Sequence, residues 1–129
     1  MAQATGQQNL WQARLVWALC LLVGAAFVAA GANKLGDPAT AGEAFAHIGL
    51  PAWLAVFIGA CEVAGGIGLW IPRLSTWAAS GLVIIMIGAA WSHLANDPFA
   101  DALPALVLGV LCALIARARW PQALGLGSD

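Results

Sequence analysis

Apolar residues fill four long stretches of this chain, and the polar residues gather between them. The stretches cover residues 15–32, 51–71, about 77–94 and about 100–116. A bilayer core needs about 20 predominantly apolar residues per helix, with a range of about 17–25. All four fit, the third and fourth near the short end. Inside lipid the backbone polar groups must be satisfied within the segment, so each stretch is expected to be a helix. The pattern predicts an all-α fold, an integral membrane four-helix bundle, in one domain over residues 15–116 between tails at 1–14 and 117–129.

The connections are short except for residues 33–50. That loop holds Gly36, Asp37 and Pro38, followed by a segment, 40–47, that predicts a short amphipathic helix lying on the outer surface. Gly49 and Pro51 would end it and start the second span. Residues 1–9 and 122–129 are polar or small and are expected to be loose. Ala30, Gly31 and Ala32 resemble a signal-peptidase site. The 18-residue apolar run before it is longer than the ~7–15 of a signal core, and no basic residue precedes Arg14, so the segment is kept as a span.

Composition sharpens this picture. Of 129 residues, 62% are hydrophobic and only 9% charged, against about 25% charged in a soluble domain. A soluble protein this small could not hide so much apolar surface, and the mean hydropathy of +0.87 agrees. The net charge of −1 offers no basic field for nucleic acid. The charges are unevenly placed. Arg14, Arg73, Arg117 and Arg119 fall on one side of the spans and Lys34 alone on the other. The excess of arginine predicts that both termini are cytoplasmic. Trp17, Trp70, Trp77 and Trp120 then lie near the inner boundary, with Trp53 and Trp91 near the outer one, as two aromatic belts.

Against this background Glu62 stands out as the one charge between Pro51 and Ile71. It lies eleven residues after Pro51, roughly 16 Å in at ~1.5 Å per residue, near the bilayer midplane. A charge there costs on the order of 2.5–3.5 kcal/mol on insertion scales. Its neighbours three and four residues away are Gly59, Gly65 and Gly66, a face on which helix backbones approach closely. Lys34 follows Ala30 and Gly31 on its own face, and His93 follows Ala89 and Ala90 and precedes Asn96 and Asp97. Helical side chains lean toward their own N-terminus, so Lys34 and His93 lean into the membrane and Glu62 leans up to meet them. Their backbone heights are expected to differ by about 10 Å or more, which leaves room for water or a ligand between Lys34 and Glu62. Intramembrane acids are functional by default, and Glu62 is the candidate catalytic proton relay. Lys34, His93, Asn33 and Asp97 are the candidate ligand-binding residues. The bland alternative is that acid and base pair only to fix packing, that Lys34 snorkels to the headgroups, and that His93 is an interfacial residue.

Other signals are weak. Cys20, Cys61 and Cys112 lie within spans and form no CxxC pair, so they read as small apolar residues. His47, Glu62 and His93 lack the spacing of a metal or haem site, and no metal is expected. No nucleophile elbow, phosphate loop or dinucleotide fingerprint is present. The "GGIG" at 65–68 reads as helix-packing glycine.

The segments "AAGANKL", "AFAHIGLPAWLAVFIGACEVAGGIGLWIPRLSTWAASGLVIIMIGAAWSHL" and "PALVLGVL" together resemble the DoxX-like family of small bacterial membrane proteins. The best-matched elements are G-x-x-K at 31–34, Gly-Leu-Pro at 49–51 and G-x-x-E at 59–62 with its following glycines. Pro72, Arg73 and the His93 near the end of the third span also match. The resemblance covers about residues 15–116 and implies a four-helix membrane protein of the bacterial inner membrane. Relatives include the DoxD-type subunit of thiosulfate:quinone oxidoreductase, and others are linked to redox stress or quinone resistance. The resemblance carries no established catalytic role onto Lys34, Glu62 or His93.

The leading expectation is the membrane subunit of a redox system that binds a quinone, or a similar apolar molecule, in the outer half of the bundle. No covalently bound cofactor is expected. Electrons would come from a membrane or peripheral redox partner or from a diffusible donor, and a homo-oligomer is compatible with the sequence. The alternatives are a non-catalytic accessory subunit of a larger membrane complex and, less favoured for want of broken helices, a small transporter.

Overall fold

The computed structural model of the chain describes residues 10–125. The expectation of loose tails at 1–9 falls outside them, as does the part of the C-terminal tail from residue 126 on. Helix α1 spans Leu10–Gly36, α2 Pro38–His47, α3 Ala52–Leu69, α4 Pro72–Asn96, α5 Leu103–Ala118 and α6 Trp120–Ala123, with a 3₁₀ turn at Phe99–Ala102 leading into α5. No strand occurs among the described residues. Among the described residues four segments are long and apolar enough to cross a membrane: Leu10–Gly36, Ala52–Leu69, Pro72–Asn96 and Phe99–Ala118. The all-α, four-span expectation holds, and α1 is longer at both ends than its apolar run.

The helix ends follow from local chemistry. The Asp37 carboxylate accepts the Thr40 N–H at 3.3 Å and Pro38 occupies the first turn, so α2 starts where the chain can satisfy its free donors. Gly49 adopts φ +83°, a conformation that favours glycine, and turns the chain out of α2 toward Pro51. The helix expected at 40–47 is therefore present and starts two residues earlier. Pro72, in the first turn of α4, leaves no N–H to be satisfied. The buried Ser75 hydroxyl lies 2.9 Å from the Leu69 carbonyl and 3.0 Å from that of Ile71, which braces the tight α3–α4 turn.

In chain order α1 packs on α3, α3 on α4, and α4 on α5, with α1 also meeting α5. Cys20, Val23 and Phe27 of α1, Leu69 of α3, Leu82 and Met86 of α4, and Cys112 and Ile115 of α5 share one buried core. At the arginine-bearing end, Thr76 Oγ1 donates to the Ala116 carbonyl at 2.8 Å and ties α4 to the end of α5. Only 28%, 33%, 22% and 22% of the most apolar part of the four spans is buried. Leu22, Ile84 and Trp91 are among the large apolar side chains that face outward. Contiguous apolar surface on this scale is not tolerated in water; lipid is the solvent that suits it.

The tightest contact is α1 on α3, and glycine makes it. A methyl group added at Gly66 would lie 2.6 Å from the Gly24 carbonyl oxygen and 2.9 Å from a Val28 methyl. One added at Gly31 would collide with the Gly59 carbonyl. Gly24 and Gly31 are seven residues apart, as are Gly59 and Gly66. Two turns separate each pair, so both contacts fall on one seam. Beyond them Trp70 Nε1 donates to the Leu21 carbonyl at 3.3 Å. This register slides α1 by about six residues, ~9 Å, relative to a pairing that matches the ends of the apolar runs. The far end of α1 is consequently recessed, and α2 crosses toward the start of α3, where Gly42 packs on Ala52.

Replacing Gly66 by Leu is expected to destabilise the bundle by at least the ~1–3 kcal/mol of an overpacked core. Gly81 of α4 is exposed with open space around it, and its replacement by Leu should leave the thermal midpoint in detergent unchanged or higher. Equal midpoints for the two variants would show that the glycine seam is not a close contact.

Candidate functional site

The recessed end of α1 decides where the site lies. Lys34 is on the last turn of α1, and its Cβ sits beside Gly59, where an added methyl would approach it to 3.0 Å. Gly59 is one helical turn from Glu62 on α3. The lysine stem leans toward that turn. Lys34 Nζ donates to Glu62 Oε1 at 2.7 Å. The sequence leaves open whether the two groups meet directly or through water or a ligand; in the structure they touch. The register leaves Lys34 level with Val56, about six residues and ~9 Å from Glu62 along the backbone, and the two side chains lean toward each other to close that height.

The pair is asymmetric. The Glu62 side chain is 5% exposed and that of Lys34 24%. A buried charge without a partner is costly, and here the carboxylate has its charge neutralised while the ammonium keeps access to the surroundings. An ammonium carries three donors. Among the described residues Glu62 is its recorded acceptor, so two donors are left for another group. Beside the pair, Gly31 packs on the Gly59 carbonyl and the Val63 side chain, so the seam below the ammonium is closed by the two helices.

His93 and Asp97 form a second pair on the last turn of α4. His93 Nδ1 lies 2.9 Å from Asp97 Oδ2, at i, i+4 spacing. A carboxylate oxygen can only accept, so with Asp97 ionised the contact requires the proton on His93 Nδ1. Both are part-exposed, at 40% and 26%. Asn33 is exposed near the end of α1, and its carbonyl accepts the Asp37 N–H at 3.3 Å. Among the described residues no hydrogen bond or ion pair joins the His93–Asp97 pair to the Lys34–Glu62 pair. Four of the five candidate residues thus form two pairs, one inside the bundle and one at the end of α4, and among the described residues Asn33 joins neither through its side chain. Cys20 and Cys112 are fully buried in the core, which fits their reading as small apolar residues.

Two features are not legible in the sequence. The Trp70 indole turns inward to bond α1, although its place at a span end marks it as a belt residue. Arg119, one of four arginines counted for orientation, is 4% exposed and lies with its guanidinium carbon 4.5 Å from the centre of the Trp17 ring. Both depend on how far α1 extends along the bundle, and the apolar pattern does not record that.

A family model, described as the DoxX-like family, matches residues 18–115. No curated protein and no solved structure matches the chain.

Proposed function

The chain belongs to the DoxX-like family, and from that premise we propose that it is a bacterial inner-membrane protein, the membrane subunit of a redox system, that binds a quinone or a similar apolar small molecule in the outer half of its bundle. The observation that carries this reading is the Lys34–Glu62 pair. An ammonium is fixed at 2.7 Å by a buried carboxylate, retains part of its exposure, and has donors to spare. A quinone's carbonyl oxygen requires a donor, and the exposed part of the ammonium offers one. A bound quinone takes up two electrons and two protons. Lys34 would orient the ring through one carbonyl. Glu62 would hold or pass a proton at its carboxylate, out of bulk water. His93, its Nδ1 directed to Asp97, leaves Nε2 for proton exchange at the end of α4. The electrons would come from a partner protein or a diffusible donor.

A second reading has an observation of its own. Lys34 and Glu62 meet directly beside a glycine seam, and a pair so placed also serves to fix the packing of α1 on α3. On that reading the chain is a non-catalytic accessory subunit, and its outward apolar faces meet lipid or neighbouring subunits.

Glu62→Gln separates the two. The amide has nearly the same shape and still accepts from Lys34, so the redox reading expects folding to be kept. Bound quinone or redox turnover should fall, turnover by about a hundredfold, the low end of what a positioned proton-transfer group contributes. Quinone retained after gentle detergent extraction and the thermal midpoint are measured on the same preparations. A variant that is less stable yet fully loaded would remove the relay role and leave the accessory reading. The orientation, with both termini in the cytoplasm, rests on the four arginines at one end. A reporter fused after Asp129 should be active only as a cytoplasmic fusion, and activity of a periplasmic reporter would reverse it.

A further inference from the structure

Four of the five basic residues, Arg14, Arg73, Arg117 and Arg119, lie at one end of the bundle, and among its described residues that end carries no Asp or Glu. Among the described residues none of the four arginines is in an ion pair. Arg119 is turned inward onto Trp17, a contact that supports the cation without neutralising it. Arg14, Arg73 and Arg117 are exposed. The end is therefore a field of positive charge whose counter-charge comes from outside these residues.

One part of it is shaped. Trp77 of α4 and Trp120 of α6 meet edge to face with ring centroids 6.0 Å apart at 61°. They remain 56% and 46% exposed. The two rings bridge the seam between α4 and α6 and keep apolar surface exposed. Arg73 stands one turn before Trp77 on the same face of α4. Arg117 is in the last turn of α5, just before the bend that carries Trp120. Thr76 bonds the Ala116 carbonyl, which sets the end of α5 level with the first turns of α4, so Arg73, Arg117 and the two rings gather at one end of the bundle. A soluble anion would satisfy the arginines and leave the tryptophans unused. A zwitterionic lipid would cover the tryptophans but bring its own cation to the arginines.

We infer that the α4–α6 seam at this end is a docking site for an anionic phospholipid, its phosphate held by Arg73 and Arg117 and an acyl chain laid against Trp77 and Trp120. The site is separate from the Lys34–Glu62 pair and does not depend on what that pair binds. Bound there, the lipid supplies the negative charge that the end of the bundle lacks, and it fixes the short α6 against α4.

The test is lipid retention in native mass spectra, after reconstitution of the full chain in vesicles of phosphatidylcholine mixed with phosphatidylglycerol. The parent should retain phosphatidylglycerol in preference to phosphatidylcholine, and the preference should shrink as salt is raised. Arg73→Gln and Arg117→Gln should each weaken the preference by about fivefold, the share of one basic residue at an anionic surface. Trp77→Leu should lower retention of both lipids, while Glu43→Gln at the other end should change nothing. Both arginines are exposed, so these variants are expected to fold, and the parent's salt dependence tests the site without any substitution. Equal retention of the two lipids by the parent would overturn the inference, as would a phosphatidylglycerol preference that survives the double arginine variant.

Discussion

The backbone contact of α1 with α3 governs the rest of this structure. Gly24 faces Gly66 and Gly31 faces Gly59 without side chains between them. In lipid there is no hydrophobic force to draw two apolar helices together, so close packing of small residues has to do it. The contact allows little adjustment, because a single methyl at any of the four positions meets backbone. With the register set in this way, the end of α1 is recessed and the Lys34 Cβ stands beside Gly59, one turn from Glu62. The opposite end of α1 extends past α3, far enough for Trp17 to receive Arg119.

The ion pair then has a clear physical logic. Burying a carboxylate near the middle of a span is expensive, and the Lys34 ammonium at 2.7 Å offsets that cost. The lysine keeps part of its exposure, so its loss of hydration is smaller. An arrangement in which the acid is deep and the base is at the rim suits a group that must be held in place yet reached from one side. It equally suits a clamp. Geometry alone supports both, and what separates them is whether the carboxylate's proton matters or only its charge.

Much of this was legible in the sequence. The four spans, the short helix after Pro38, the turn at Gly49 and the glycine face around Glu62 all follow from local pattern, because each depends on residues within a few turns. The meeting of Lys34 with Glu62 was only half legible. Side-chain direction pointed the two toward each other, but the ends of the apolar runs left open whether they meet directly, and helices in a bundle need not start level. The seven-residue spacing shared by Gly24 and Gly31 with Gly59 and Gly66 holds the missing information. Matching the two spacings head to tail gives the register directly. Arg119 illustrates the opposite case: a side chain two residues past Arg117 is carried inward by the bend between α5 and α6, and no periodicity reports that.

The central claim is that Lys34 and Glu62 are energetically coupled inside the bundle, and a double-mutant cycle measures it most directly. Lys34→Met, Glu62→Gln and the double variant are unfolded in mixed micelles alongside the parent. Direct contact predicts a coupling of about 1 kcal/mol or more. Lys34→Met should be the costlier single change, since it strands a buried carboxylate, whereas Glu62→Gln leaves a lysine that can reach the surface. Costs that simply add, or a Glu62→Gln variant that is the less stable of the two, would contradict the account.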